Sequence, residues 1–414
     1  MKTILFVMPR LPFPASSGRK TSLYHYCKIL SEDLGYRLVV AAFLENGDNP
    51  NPKPEFIHRL EILPKPKTHE KVKNILIKSL LKKELPLQVS LYLSNEAQLI
   101  VDQLINEEKP DVLIADMVRS TEYIRGKQGF TIADLDDRIS LRYRRQMETD
   151  IEGINPYGAF LASVPSFLKK IMLCKPIKLR VVKSEIDLLT KYELTVGKDC
   201  SSTVFVAEKE ASEFNRELGK EKACAIPIGV DINYFFFREC GKNENIIGFL
   251  GALGVAHNEY AVKHFINSIF PKVLKTVPNA KFWVIGGGAS KELLDLSSEN
   301  VIFTGRVEDV RTYLEKCKVF VCPMTFGSGI KTKNLEAMAM GLPVVTTSIG
   351  AENINAKNGT EWFITDNEME QAISALLLND EKRLIIGKRA SEFIEANFTW
   401  NIASKKFKEL LSVD

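Results

Sequence analysis

The chain has 414 residues, of which 45% are hydrophobic and 26% charged, so it is long enough for two domains and has the composition of a soluble globular protein. A formal net charge of only +4 excludes general nucleic-acid binding as a first reading. Seven cysteines without a C-x-x-C pair, and five histidines that do not cluster near them, argue against a zinc site or disulfide framework and favour a reducing compartment.

The first half of the chain begins with a predicted strand, TILFVM, rather than a signal peptide, and no apolar run is long enough to span a bilayer. Further short apolar runs follow: RLVVAAF, VLIAD, TIAD, STVFVA and CAIPIGV. The stretch 138–195 is predicted to be helical and is rich in Arg and Lys. Because the polar, turn-rich segment 231–245 comes next, we predict a first domain over residues 1–230.

The second half alternates more regularly between short apolar runs and segments of helical period. The runs are IIGFLG, FWVIGG, VIFTG, VFVCP, PVVTT and WFIT. Buried strands that alternate with helices indicate βαβ units and a parallel sheet covered on both faces. The predicted fold class is therefore α/β, with two Rossmann-like parallel-sheet domains across a cleft, the second over residues 231–395. Ligands in such folds bind in the loops at the carboxyl ends of the strands.

The segment FGSGIKTKNLEAMAMGLPVVTT, residues 326–347, carries the clearest binding pattern. Its glycines allow close approach to the free N–H groups at a helix start, which form an anion site. Lys331 and Lys333 at that start would repel the helix dipole unless an anion neutralises them, and a diphosphate does so. Glu336, one and a half turns later, can accept hydrogen bonds from a ribose. The pattern thus favours a nucleoside diphosphate.

An arbitrary loop of this kind could instead hold solvated lysines, with Glu336 paired to one of them. Better-known nucleotide motifs are absent. GGGASK at 286–291 lacks the third glycine of G-x-G-x-x-G, and GIKT at 329–332 and GRKT at 18–21 lack the Gly-Lys-Ser/Thr order of a P-loop. Dehydrogenase and P-loop NTPase readings therefore lose support.

Five blocks in order resemble the retaining nucleotide-sugar glycosyltransferases with two Rossmann domains (GT-B type, family 4 or group 1). They are FLGALGVAHNEYAVKHF, FWVIGGG, VIFTGRVEDVRTYL, the long block from VFVCP to GAENI, and FTWNIASKKF. MPRLPFPASSGRKTSLYHY, IADLDDRISLRYRR and IPIGVDINYF give weaker support. The likeness is greatest to members that build exopolysaccharide or other surface glycans, and it implies a nucleotide-sugar donor and a glycan or lipid-linked acceptor.

The resemblance implies roles for individual residues. It makes Glu336 the ribose ligand and places the donor sugar and phosphates against the loop that leads to the helix. It also implies that the final helix, 396–414 with Trp400, packs back on the first domain. The implied donor-binding residues are Gly18, Arg306, Val307, Gly327, Ser328, Gly329, Ile330 and Glu336, and the implied catalytic groups are Lys331, Lys333, Arg19 and Asp137.

Three departures from the family pattern stand out. Ser328 occupies the position of a first motif glutamate that often holds the donor sugar, and Ala256 stands where relatives often carry Arg or another polar residue. The first-domain histidine of the family has no match; Asp136 or Asp137 stands near its place and could orient the acceptor hydroxyl or cap a helix.

Cleavage of a sugar–phosphate bond requires groups aimed at the negative charge that develops on the diphosphate. The backbone N–H groups of 327–330, the two lysines and Arg19 could supply them. The resemblance implies retention by a front-face route, and no carboxylate pair of the glycosidase kind is evident. Asp134-Leu-Asp136 matches a D-x-D pattern but lies in the wrong domain for the donor, so we expect no metal and no cofactor.

The segment 64–83, PKPKTHEKVKNILIKSLLKK, holds seven lysines and one acid. Val72, Ile75, Leu76 and Leu80 fall on one helical face, which predicts either an amphipathic helix on anionic lipid or a helix packed on the first sheet. Residues 160–180 are a second candidate. We expect a cytoplasmic protein, peripheral at the inner membrane face.

Two other functions stay open. A nucleotide-sugar epimerase of the same fold would isomerise the donor without acceptor and should have more acid and base groups in its cleft. A catalytically degenerate glycan-binding or assembly subunit would bind nucleotide without turnover, and the loss of the first glutamate favours it.

Overall fold

The computed structural model describes residues 1–15, 18–149, 154–157, 160–161, 164–239, 244–327 and 329–412. The chain divides into two compact units. The first comprises Met1–Pro227 together with Ala403–Asp414, and the second comprises Ile228–Ile402. The boundary after Pro227 lies three residues before the end of the 1–230 domain predicted from the sequence. The last helix is divided between the two units.

The first unit contains a seven-stranded parallel sheet in the order β3-β2-β1-β4-β5-β6-β7. Its five inner strands are fully or largely buried, which explains why they read as continuous apolar runs instead of alternating ones, whereas the two edge strands are only partly buried. They are β1 (Thr3–Met8), β2 (Arg37–Ala42), β3 (Arg59–Ile62), β4 (Val112–Asp116), β5 (Phe130–Asp136), β6 (Ser202–Phe205) and β7 (Ala223–Ala225).

The second unit contains a six-stranded parallel sheet in the order β10-β9-β8-β11-β12-β13. Two hydrophobic clusters cover its faces, one around Phe320 and Trp362 and one around Phe249 and Phe282. Its strands are β8 (Ile246–Leu250), β9 (Lys281–Ile285), β10 (Val301–Gly305), β11 (Val319–Cys322), β12 (Val344–Thr346) and β13 (Phe363–Ile364).

Helices connect the strands and cover both sheets. Three of them include wider π-helical turns, at Ile29–Asp33, Ile75–Leu81 and Phe265–Ile269. The α-helices are α1 (Gly18–Lys28), α2 (Thr68–Asn74), α3 (Leu87–Ser90), α4 (Asn95–Glu108), α5 (Met117–Thr121), α6 (Ile139–Thr149), α7 (Ser166–Leu173), α8 (Lys175–Asp199), α9 (Glu208–Leu218), α10 (Ala256–His264), α11 (Phe270–Thr276), α12 (Lys291–Leu294), α13 (Arg311–Leu314), α14 (Thr332–Ala339), α15 (Met369–Leu378), α16 (Asp380–Asn397) and α17 (Trp400–Leu411).

Both sheets reverse their strand order once, between β1 and β4 in the first unit and between β8 and β11 in the second. At such a switch point the two adjoining connections leave on opposite faces, and a crevice opens at the carboxyl ends of the strands. The predicted α/β class with two Rossmann-like parallel sheets is confirmed. Among the described helices, none combines the length and the apolar character needed to cross a bilayer.

Candidate functional site

Two glycine-containing loops meet beside the switch point of the second sheet. A Cβ atom on Gly286, where φ is +136°, would lie 2.1 Å from the carbonyl oxygen of Gly251. A Cβ atom on Gly288 would lie 2.9 Å from the backbone nitrogen of Gly254. Because no side chain fits between them, the loops after β8 and β9 are in direct backbone contact, and main-chain groups line this edge of the sheet.

The loop after β11 turns sharply before α14 begins. Gly327 and Gly329 have φ values of +129° and +71°, a region that favours glycine. Lys331 caps the helix in an extended conformation, without a side-chain hydrogen bond to the first turn, and that turn contains no acidic residue. The helix therefore presents its free N–H groups and its positive dipole end without a carboxylate to neutralise them.

Both lysines of the motif turn back toward this loop region. Lys331 is buried and donates through Nζ to the carbonyl oxygen of Gly329 at 2.7 Å. Lys333 donates through Nζ to Asn258 Oδ1 at 2.6 Å and lies 4.4 Å from the centre of the Phe249 ring. Burial lowers the pKa of Lys333 to about 8. A bound anion would reverse this shift, because it stabilises the ammonium form.

Glu336 is half-buried on α14, and within the described part of the chain its carboxylate has no hydrogen bond and no ion pair. Burial raises its pKa to about 7, against the opposing effect of the Lys333 charge. The arrangement in which Glu336 pairs with one of the lysines is therefore not the one observed. A half-buried carboxylate without donors is suited to a ligand that brings hydroxyl groups.

The turn after β10 borders the same glycine cluster. A Cβ atom on Gly287 would lie 3.4 Å from the backbone nitrogen of Arg306, whose side chain is exposed. Val307 and Ile330 are partly buried against the hydrophobic cluster on one face of the second sheet. All predicted residues of the second unit that the structure describes thus lie in loops at one sheet edge or on α14. Ser328 lies outside the described residues.

In the first unit Arg19 is enclosed by carboxylates. Its guanidinium donates through Nε to Asp116 at 3.0 Å, through Nη2 to Asp134 at 2.7 Å and through Nη1 to Asp136 at 2.8 Å. The three aspartates end β4 and β5, next to the switch point of the first sheet, and Gly18 begins α1 beside them. The role of Arg19 as a diphosphate ligand stays a prediction, and any anion would have to compete with these partners.

The aspartates of this cluster differ in environment. Burial raises the pKa of Asp134 to about 6 and that of Asp136 to about 7, while Arg19 opposes both shifts. The Asp136 side chain is 21% exposed, and its backbone lies in the left-handed region at φ +64°. Asp137 is buried and forms an ion pair with Arg142 at 3.2 Å. Of the two positions left open for acceptor binding, Asp136 is the more accessible one.

Sequence reasoning missed Asn258, Phe249 and Asp116. Asp116 could have been found, because it ends a buried strand next to a switch point, where functional groups collect. Asn258 could not, since its contact with Lys333 joins residues 75 positions apart. Among the described residues no group of three or more His, Cys, Asp or Glu side chains is arranged to hold a metal ion, and the pattern Asp134-Leu-Asp136 binds a guanidinium instead.

Comparisons with known proteins agree with this geometry. The family model "Glycosyl transferases group 1" matches residues 244–379. A Klebsiella pneumoniae protein described as "Uncharacterized 44.6 kDa protein in cps region" is 29% identical over 181 residues, which are 40% of this chain and 46% of that protein. The Staphylococcus aureus "Capsular polysaccharide biosynthesis glycosyltransferase CapM" is 26% identical over 179 residues, 41% of this chain and 46% of CapM. The chain spans about half the length of the curated relatives it matches.

The structure of Anabaena Alr3699/HepE in complex with UDP is similar over the whole chain. The TM-score is 0.62 at 16% sequence identity, and the match covers 100% of both chains. At this identity the likeness concerns the fold alone, and it confirms the predicted GT-B fold. The predicted resemblance to group 1 glycosyltransferases is confirmed for residues 244–379, while the retaining mode stays a prediction.

Proposed function

We propose that the protein transfers a sugar from a nucleotide-diphosphate donor to a glycan or lipid-linked acceptor, because residues 244–379 match the family model for group 1 glycosyl transferases. The observation that carries the proposal is the start of α14. There two lysines and free backbone N–H groups meet beside a carboxylate that has no partner in the described part of the chain.

In this proposal the diphosphate binds at the N-terminus of α14, between Lys331, Lys333 and the backbone of 327–330. Both ammonium groups now rest on neutral oxygens, the Gly329 carbonyl and the Asn258 amide. Phosphate oxygens are stronger acceptors than either, because they carry negative charge and form short N⁺–H···O⁻ hydrogen bonds with an ammonium donor. An anion is thus the ligand that this part of the second unit accommodates best.

The ribose hydroxyls donate to Glu336, and the base lies against the turn at Arg306 and Val307. We choose uridine diphosphate as the first nucleotide to test, because HepE, which has the same fold, was solved in complex with UDP. Surface polysaccharide synthesis is the proposed context, since CapM is described as a capsular polysaccharide glycosyltransferase.

The proposed reaction is retaining. The bond between the anomeric carbon and the diphosphate oxygen breaks, its electron pair stays on the diphosphate, and an acceptor hydroxyl attacks the same face. The hydroxyl proton passes to the departing diphosphate. The lysines and the helix N-terminus stabilise the negative charge that develops there, which is how such groups lower a barrier. In this scheme the charge is neutralised by the chain's own cations, so the proposed enzyme is metal-independent.

We assign acceptor orientation to Asp136 in preference to Asp137, because Asp137 is buried with Arg142. Arg19 then serves as a positioning residue that holds three carboxylates at the ends of β4 and β5. We also propose a cytoplasmic location, since the six cysteines that the structure describes are all free thiols.

Thermal-shift and calorimetric titrations with UDP, GDP and ADP and their sugars test the donor site, because a ligand bound only by the folded state raises its melting temperature. We expect one nucleotide to stabilise the protein. Lys331→Ala and Lys333→Ala should each weaken its binding about tenfold or more. Lys388→Ala, an exposed position on α16, is the matched control. Unchanged affinity in both motif variants would refute the proposed site.

Turnover assays distinguish the proposed transferase from two alternative functions. An epimerase would convert the donor sugar with no acceptor present. A degenerate binding subunit would take up the nucleotide but release no nucleoside diphosphate with any acceptor in a panel. The transferase releases nucleoside diphosphate in proportion to glycoside formed.

A further inference from the structure

A short segment at the start of the second unit, residues 231–238, links two parts of the proposed donor site. Near its beginning it contacts the turn after β10, against which the proposed base lies. At its end it contacts the last turn of α14, the helix of the proposed diphosphate site. We call this segment the aromatic strap, because it contains Tyr234, Phe235, Phe236 and Phe237.

The strap meets the turn through one guanidinium group. Arg311, the first residue of α13, donates through Nε to Asp309 Oδ1 at 3.0 Å and through Nη2 to Asp309 Oδ2 at 2.7 Å. It also donates through Nη1 to the carbonyl oxygen of Tyr234 at 3.2 Å, and its Cζ lies 3.7 Å from the centre of the Tyr234 ring. A planar guanidinium can bind a carboxylate, a carbonyl oxygen and an aromatic face together, whereas an ammonium group cannot.

Asp309 fixes the backbone where the turn ends. Its Oδ1 accepts hydrogen bonds from the backbone N–H of Arg311 at 2.9 Å and from the Tyr234 hydroxyl at 3.2 Å. Hydrogen bonds from Arg311 lower the pKa of Asp309 to about 2, so the carboxylate is ionised wherever donor binding is measured. The turn that begins at Arg306 is therefore held at its far end by an ion pair that does not titrate near neutral pH.

Two further contacts anchor the strap within the second unit. The Phe235 side chain packs against the hydrophobic cluster on one face of the second sheet. The backbone N–H of Arg238 donates to the carbonyl oxygen of Met340, the C-cap residue of α14, at 3.0 Å. A Cβ atom on Gly341 would lie 2.7 Å from the Phe237 ring, so the strap runs directly against this helix end. One peptide segment thus connects the turn to α14.

We propose that Arg311 is a positioning residue for the nucleotide base, which it serves by holding the turn through Asp309 and Tyr234. The inference rests on the proposed function, because it takes the base to lie against Arg306 and Val307. The guanidinium donates to groups of the protein, so it acts on the ligand through the turn. The diphosphate binds at the other end of α14, and its affinity should not depend on Arg311.

The ion pair is suited to mutation because it is partly exposed. The Arg311 and Asp309 side chains are 24% and 31% exposed, and ion pairs of this kind contribute little to global stability. Loss of the guanidinium should therefore free the turn without unfolding the second unit, and thermal melts of each variant establish that it is folded.

Titrations with two kinds of ligand separate the base from the phosphates. UDP, GDP and ADP present both parts, whereas inorganic pyrophosphate presents only the second. We expect Arg311→Ala to weaken binding of the preferred nucleotide about tenfold and to change pyrophosphate binding by less than about twofold. Lys333→Ala should weaken binding of both. Arg389→Ala, at an exposed position on α16, is the matched control and should change neither.

Two conservative variants test the geometry of the contact. Arg311→Lys keeps the charge but not the planar fork, so it should recover no more than about twofold of the lost affinity. Tyr234→Phe removes only the hydroxyl and should weaken nucleotide binding about twofold.

The outcomes separate this proposal from the proposed function. Equal losses of nucleotide and pyrophosphate affinity in a folded Arg311→Ala variant would show a general structural role and overturn the proposal. Unchanged nucleotide binding by that variant would overturn it as well, while the donor site would stand. A wild-type chain that binds none of the three nucleotides would refute the donor site itself, and with it this role of Arg311.

Discussion

The pH dependence of donor binding offers the sharpest test of Glu336, because its carboxylate titrates near neutral pH in the free protein, with a pKa of about 7. Ribose hydroxyls that donate to the carboxylate favour its ionised form and lower this pKa on binding. Affinity should therefore rise with pH until about 7. Lys333, with a pKa of about 8, acts in the opposite sense, since a diphosphate favours the ammonium form. Affinity should fall above about pH 8.

The size of the effect follows from linkage. One pKa unit corresponds to about 1.4 kcal/mol, or a factor of ten in affinity. If the hydroxyl hydrogen bonds bring the pKa of Glu336 back toward its ordinary value of 4.5, its contribution to affinity should drop about tenfold between pH 8 and pH 6, and the partial loss of the Lys333 charge at pH 8 reduces the observed change to about fivefold. Glu336→Gln removes the titrating group, so this variant should bind more weakly at pH 8 but lose the decline toward pH 6.

Isothermal titration calorimetry with UDP-glucose measures this dependence well, because the diphosphate of that ligand is esterified at both ends and does not titrate near neutral pH. Glu395→Gln, at an exposed position on α16, is the matched control and should keep the wild-type profile. A Glu336→Gln profile with the same acid decline as the wild type would refute the ribose role and assign the titration to another group.

Three further predictions concern the supporting structure. Asn258→Ala removes the acceptor of the Lys333 ammonium and should weaken UDP-glucose binding about fivefold, whereas Asn258→Asp should move the alkaline decline to higher pH; identical profiles for both would contradict the contact. Gly286→Ala should lower the unfolding free energy, measured in urea, by at least about 2 kcal/mol. Gly47→Ala is the control and should cost about 1 kcal/mol, because φ there is +87° but no atom lies within 4 Å of the added Cβ. Equal costs would disprove the close backbone approach at Gly286. Arg19→Ala leaves buried carboxylates uncompensated and should lower the unfolding free energy by about 3–5 kcal/mol at pH 8. The loss should be smaller at pH 5.5, where protonation of the carboxylates relieves their repulsion. A loss of stability that does not change with pH would argue against Arg19 as the residue that holds these carboxylates.

The sequence by itself determined the fold class and the family resemblance. Short buried strands separated by helical segments leave few arrangements other than parallel sheets, because each strand needs a crossover helix to reach the next one. It also located the start of α14, since glycines, lysines and one acid within eleven residues, 326–336, define a local structure. Local features of this kind depend on neighbours in the chain and can be read without coordinates.

Tertiary structure decided the partners of these groups. Arg19 meets carboxylates 97 to 117 positions away, so the residue expected to bind diphosphate also lies at the centre of an ion cluster. The π-helical turn after α2 changes which side chains share a face. The 3.6-residue period predicted Ile75 as a member of the apolar face, whereas in the structure Leu81 is the strongly exposed residue. Contacts between distant segments, and a local change in helical pitch, depend on how the whole chain packs, and no spacing within one segment encodes them.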